Sequence, residues 1–313
     1  MCVIKPILTS TANFLSLHEG FLLNPIGRTS AMSDCDSKCS NCSVSKCGDS
    51  VSPQNQVLKP NAFSKIHHVI GVVSGKGGVG KSLVCSMLAN KLAEQGFQVG
   101  ILDADITGPS IPKAYGLKGD LSSDETGVNP RETRNGIKVI SANLMLDQED
   151  APVAWRGPVI SGLIRQFFNE VNWGELDYLF VDMPPGTSDV ALTVFQSLPI
   201  EGIVVVSTPQ DLVSMIVGKA VNLARDMDIE VLGLVENMAF FVCDSCNKKH
   251  NIFGDSRAED VAQRYEIAAH ASIGLDPELT RKVDAGKIYE YKSDISLDPV
   301  IARILRNNSK PKK

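Results

Sequence analysis

Residues 74–82 read SGKGGVGKS, between an apolar run at 67–75, HHVIGVVSG, and a helix-like run at 83–96, LVCSMLANKLAEQG. Strand, glycine loop and helix in that order are what the phosphate-loop pattern G-x-x-x-x-G-K-[ST] needs, and Gly75, Gly80, Lys81 and Ser82 fill it. Gly75, Gly77, Gly78 and Gly80 free the backbone on either side of Val79 to turn its N–H groups around an anion. The helix that follows adds the partial positive charge of its N-terminus. Lys81 is expected to reach the β- and γ-phosphates of ATP, and Ser82 to ligate Mg²⁺. The loop also carries a second lysine, Lys76, where an ordinary phosphate loop needs none.

Outward from this loop, short β-rich runs alternate with helical patterns. Strands are expected in HVIGVVS, QVGILDAD, IKVISAN, LDYLFVDMP, GIVVVST and VLGLVENM, and helices at 82–95, 158–171, 188–197, 211–226, 255–265 and 277–285. Near-continuous Val/Ile/Leu strands separated by helices predict an α/β fold, a doubly wound, mostly parallel sheet covered on both faces. In such sheets ligands sit at the carboxyl ends of the strands. ILDAD ends one strand at Asp103 and Asp105, and YLFVDMPPGTSD ends another at Asp182, so all three acids should converge on the loop. Asp182 has the position of a Walker B aspartate that holds Mg²⁺ through water. Gly186, in the stiff turn DMPPG, can swing toward a γ-phosphate.

The 313 residues allow one large α/β domain with appendages. A net charge of −5 gives no general reason to expect nucleic acid or an anionic membrane as partner. No apolar run approaches the roughly 18–20 residues that span a bilayer, and the expected location is the cytoplasm. Residues 1–31 lack the continuous apolar core of a secretory signal and hold a single arginine, Arg28, which is poor for a transit peptide. They are taken as a disordered leader, or as untranslated sequence before Met32. The organisation expected is then a leader at 1–31, a cysteine segment at 32–48, a polar linker at 49–65, the main domain at 66–308 and a basic tail at 309–313.

Eight cysteines are unevenly spread. Cys35, Cys39, Cys42 and Cys47 form C-x₃-C-x₂-C-x₄-C, and Cys243 and Cys246 form C-x-x-C. In a reducing compartment such groups read as metal sites before disulfides. The four N-terminal thiols can close around one centre, iron–sulfur or zinc. The C-x-x-C supplies half a tetrahedral shell, which a second copy of the chain across a two-fold axis would complete. Shared zinc and a redox dithiol are the other chemistries open to it.

GKGGVGKS, ILDADITGPSIPK, WRGP, DYLFVDMPPGTSD, STPQDLVSMIVGKAVNLA, VENMAFFVCDSC and IGLDPELTRKVDAGK, taken in order, resemble the Mrp-type iron–sulfur carrier ATPases. These are deviant-Walker P-loop proteins, a group that also holds MinD and the nitrogenase iron protein, and the resemblance runs from about Ile66 to Lys287. It implies a homodimer in which Lys76 crosses to the partner's nucleotide, Asp105 orients the attacking water, Asp103 assists Mg²⁺ and Asn237 bonds the adenine ring. It also implies that Cys243 and Cys246 hold a bridging [4Fe–4S] cluster destined for apo iron–sulfur proteins, and that the N-terminal cysteines hold a second one. Asp244 departs from the family, which often has proline there. No nucleic acid or membrane partner is expected. A MinD-like positioning switch, or a regulatory ATPase with structural zinc, is the alternative. The Val300/Ile301/Ile304/Leu305 stripe near the end can seat the tail on the core instead of on a membrane.

Overall fold

The computed structural model describes residues 57–106, 108, 110–145, 157–186, 189–210, 213–292 and 297–307. The leader, the four-cysteine segment with Cys35, Cys39, Cys42 and Cys47, the first part of the linker and the basic tail lie outside the described residues.

The described strands are β1 (Lys65–Ser74), β2 (Val99–Asp103), β3 (Ser122–Asp124), β4 (Gly127–Asn129), β5 (Arg131–Glu132) and β6 (Lys138–Ser141). They continue with β7 (Glu175–Asp182), β8 (Gly202–Ser207), β9 (Glu230–Glu236), β10 (Phe241–Val242), β11 (Lys249–His250) and β12 (His270–Ser272). The helices are α1 (Lys81–Glu94), α2 (Ile111–Tyr115), α3 (Gly157–Asn169), α4 (Asp189–Ser197), α5 (Val213–Asp226), α6 (Ala258–Arg264), α7 (Pro277–Asp284) and α8 (Asp298–Asn307).

Eight strands form one sheet in the order β12-β9-β8-β1-β7-β2-β6-β5, parallel throughout except for the β5–β6 pair. The mostly parallel sheet expected from the sequence is present, and all six expected strands are in it. β1 is central and buried on both sides, because its apolar residues supply both faces. Ile70 and Val72 join Tyr178 and Phe180 of β7 in a cluster with Val84, Leu88 and Leu92 of α1. Those α1 residues recur at helical spacing on one stripe. Val69, Val73, Leu179 and Val181 alternate with them and are buried on the other face, and α5 packs against β8, β9 and β1.

The apolar stripe of α8 goes into the first cluster, where Val300, Ile301 and Ile304 are buried. Among the described residues no helix is long and apolar enough to cross a membrane. The helix expected at 255–265 is shorter, beginning at Ala258. The residues just before it are held elsewhere: Ser256 Oγ and the Arg257 N–H both donate to Glu236.

Candidate functional site

Strand register builds the site. Asp182 at the end of β7 lies opposite Val72 of β1 and opposite Asp103 of β2. The glycine loop leaves β1 two residues beyond Val72, so the loop and both acids share one end of the sheet. Gly80 stands at φ 82°, the left-handed region that glycine tolerates. It is also a point of close approach, since a Cβ there would lie 2.2 Å from Asn237 Nδ2.

Lys81 is buried and makes the main contact of the site. Its Nζ is 2.6 Å from Asp182 Oδ1 and 3.5 Å from Asp105 Oδ2. Ser82 Oγ donates to Asp182 Oδ2 at 2.5 Å. Asp103 accepts from Ser141 Oγ at 3.0 Å and from the Asp105 N–H at 3.2 Å. Ser141 belongs to no motif and was not anticipated.

Burial pushes the Asp103 carboxyl up to about 8, helped by the charge of Asp182 and opposed by Lys81. Asp182 is also raised, because burial outweighs its ammonium partner. For Lys81 burial acts against the charged form, yet Asp182, Asp105 and Asp103 together hold its proton more firmly than usual. Three carboxylates around one ammonium leave the site with excess negative charge, and Ser82 and Asp182 offer hard oxygen donors of the kind Mg²⁺ takes.

A cavity of about 290 Å³ opens here, lined among others by Gly77, Gly78, Gly80, Lys81, Ser82 and Asp105. Asn237 does not line it. Only 3% exposed, Asn237 lies beneath the loop and donates from Nδ2 to the Val79 carbonyl at 2.9 Å. Gly186 donates its N–H to the Ser74 carbonyl at 2.8 Å, so a swing toward a phosphate must break that bond. Lys76 reaches across the surface to Gln210, Nζ to Oε1 at 2.5 Å, a partner the sequence did not suggest.

Cys243 and Cys246 sit at the turn of a separate small hairpin, in which β10 pairs antiparallel with β11. The Cys243 N–H donates to the Lys248 carbonyl at 3.0 Å, and the Asn247 N–H to the Cys243 carbonyl at 2.8 Å. Cys243 is half-buried and Cys246 exposed. Hydrogen bonds from the N–H groups of Ser245 and Cys246, then from the Cys246 thiol, hold the Cys243 thiol below its ordinary range. That favours the thiolate, which is the metal-binding form. Among the described residues no group of three or more His, Cys, Asp and Glu side chains is arranged to hold a metal ion. His250 is exposed on β11.

A phosphate loop between the central strand and its helix, with acids at the neighbouring strand ends, marks the chain as a P-loop NTPase. The ParA family model, described as NUBPL iron-transfer P-loop NTPase, matches residues 65–307, and the chain belongs to that family. A Clostridium perfringens protein named iron-sulfur cluster carrier protein is 46% identical over 272 residues, 84% of this chain and 94% of the relative. A solved nucleotide-binding protein from Archaeoglobus fulgidus, in complex with ADP and with cobalt, is 44% identical. That likeness covers 73% of this chain and 90% of the other, with a TM-score of 0.67. The cell division ATPase MinD of Pyrococcus furiosus shares the fold at 19% identity and a TM-score of 0.52, covering 77% and 97%.

Proposed function

We propose that this chain carries [4Fe–4S] clusters to apo iron–sulfur proteins, with ATP binding and slow hydrolysis governing when the cluster is held and when it is released. The observation that carries this is the exposed Cys243/Cys246 hairpin, a two-thiolate half-site on the same domain as a complete phosphate loop. Family membership and the name of the Clostridium relative agree with it.

The cluster is cargo. Two thiolates per chain need a second copy to complete four ligands, so the carrier works as a homodimer. Separating the hairpins by a few ångströms would remove half of the ligands. The four N-terminal cysteines would hold their own centre within one chain.

At the nucleotide, Gly75, Gly77, Gly78, Val79 and Gly80 would cradle the phosphates through their N–H groups. Lys81 would move from Asp182 toward the β- and γ-phosphate oxygens. Ser82 and Asp182, with Asp103 behind them, would hold Mg²⁺, which would neutralise phosphate charge when bound. Asp105 would orient the attacking water, and Lys76, leaving Gln210, would counter charge at the partner's transferring phosphate. Asn237, beneath the loop and outside the cavity, would meet an acceptor on adenine only once the loop shifts to admit the base, with its second Nδ2 proton while the first keeps the Val79 carbonyl.

Iron, sulfide and native mass measured after anaerobic reconstitution test this. Wild type should hold about four transferable iron atoms per dimer at the hairpins. The Cys243→Ala/Cys246→Ala variant should lose them, and a variant lacking Cys35, Cys39, Cys42 and Cys47 should keep them. Stoichiometric zinc without sulfide in anaerobically purified protein would overturn the carrier role.

A further inference from the structure

The end of β9 connects the two sites. Glu236 and Asn237 are consecutive, and both are nearly inaccessible, at 2% and 3% exposure. Successive side chains of an extended chain point to opposite sides, and these two engage different partners. Asn237 donates to the phosphate-loop carbonyl of Val79 at 2.9 Å. Its main-chain N–H donates to the Ser207 carbonyl at 2.8 Å, which fixes it to β8.

Glu236 faces the return of the cysteine hairpin. Its Oε2 accepts from Ser256 Oγ at 2.5 Å, and its Oε1 from the Arg257 N–H at 3.0 Å. The outgoing limb of the hairpin starts directly after Asn237. Met238 stands at φ 58°, in the left-handed region unfavourable to a long side chain. Its N–H donates to Asn237 Oδ1 at 2.9 Å. The Ala239 N–H then donates to the Ile273 carbonyl at 2.8 Å, and the Leu275 N–H to the Phe240 carbonyl at 2.6 Å. Both limbs of the hairpin therefore touch one dipeptide, the outgoing limb being bonded to Ile273 and Leu275 as well, and that dipeptide also grips the phosphate loop.

We propose that Glu236 and Asn237 are positioning residues that couple occupancy of the phosphate loop to the conformation of the Cys243/Cys246 hairpin. A phosphate drawn into the loop reorients the peptide after Val79, Asn237 follows its carbonyl, and Glu236 carries the shift to Ser256 and Arg257. Coupling of this kind is reciprocal, so ligation at the hairpin changes nucleotide affinity by the same factor. The inference rests on the carrier reading for what the hairpin holds, but its geometry concerns the protein alone.

Hydrogen exchange read by mass spectrometry on the full chain, with and without a non-hydrolysable ATP analogue and Mg²⁺, tests it. In wild type the analogue should slow exchange in the loop at 75–82 and also alter exchange across 241–253. Glu236→Ala should keep loop protection while the hairpin response falls roughly fivefold or more. Glu236→Gln, which can still accept from the Arg257 N–H, should restore most of it. Ser256→Ala removes one of the two bonds from an exposed residue, so it serves if Glu236→Ala does not fold, and it should weaken the response. A hairpin response of wild-type size in these variants, or none in wild type, would overturn the coupling. Iron and sulfide content of the same wild-type sample separates the two ideas: a nucleotide-responsive hairpin that binds no cluster removes the carrier reading and leaves the coupling intact.

Discussion

Lys81→Ala should destabilise the nucleotide-free protein, quite apart from its effect on nucleotide binding. The Lys81–Asp182 contact is 2.6 Å long, with side-chain exposures of 6% and 0%, so water screens neither partner. Removing one member of a buried pair leaves an uncompensated charge and costs about 3–5 kcal/mol. For a domain of this size each kcal/mol lowers Tm by roughly 2–4 °C, so the midpoint should fall by roughly 6–20 °C. Asp182→Asn should cost less, because Lys81 keeps Asp105 at 3.5 Å as a second carboxylate partner. The double variant Lys81→Ala/Asp182→Asn should recover at least half of the loss and still fail to bind ATP. The pH dependence has a definite sign. Burial already raises Asp182 in the folded protein, and losing the ammonium raises it further. An acid raised on folding favours the folded state at low pH and penalises it as pH climbs from its unfolded value through its folded one. The Lys81→Ala deficit should therefore grow between pH 5 and pH 8. Calorimetry without nucleotide and with EDTA reads it. A Tm within 2 °C of wild type at pH 8, or a deficit larger at pH 5, would refute the reasoning.

Lys76→Ala removes a surface contact to Gln210, so stability should change by less than about 1 kcal/mol. ATP affinity should hold while turnover falls, by up to the order of 10³-fold in the most dependent systems; wild-type turnover would rule out a cross-dimer lysine. Asp103 is raised to about 8, so its contribution to stability declines as pH rises from about 4 to about 8. Asp103→Asn in EDTA should gain more Tm over wild type at pH 8 than at pH 5, and the reverse order would contradict the burial of that charge. Gly80→Ala places a Cβ 2.2 Å from Asn237 Nδ2 at φ 82°, and should lower Tm and abolish nucleotide binding; a variant with wild-type affinity would show that the loop tolerates a different path.

What could be read in the sequence was what lies close together along the chain. The phosphate loop is contiguous, and β1, β2, β6, β7, β8 and β9 are apolar runs long enough to declare themselves because both faces of the sheet are buried. Asp103, Asp105 and Asp182 could be assigned to one place because Asp103 and Asp182 end such strands and Asp105 follows two residues after the first. β3, β4, β5, β10, β11 and β12 have two or three residues each, too few for any periodicity, and α2 is one short turn begun by Ile111-Pro112. The partners Ser141, Gln210 and Ser256 were illegible because each meets its site residue only through the tertiary fold. Asn237 was assigned by resemblance to the base; the structure adds its bond to the loop, which no spacing could reveal. The N-terminal cysteines lie outside the described residues, and the chemistry expected of them stands on their spacing and on the family resemblance.

The same contrast bears on which part of the molecule can move. A hairpin of two-residue strands has little stability of its own, and its conformation is borrowed from what its limbs touch. Phe240 lies so close to Gly274 that a Cβ there would meet the ring at 2.6 Å, and Lys249 Nζ stands 3.7 Å from the ring centroid. Glu236 fixes the returning limb through two hydrogen bonds. The eight-stranded sheet, packed on both faces, has no comparable freedom, since shifting a strand would disrupt many contacts at once. A nucleotide that reorients one peptide beneath Val79 cannot bend β1 or β9. On the coupling proposed above it would tilt a hairpin whose roots are a few hydrogen bonds to the end of β9, Ile273 and Leu275, and on the carrier reading that tilt would change how Cys243 and Cys246 meet their cargo.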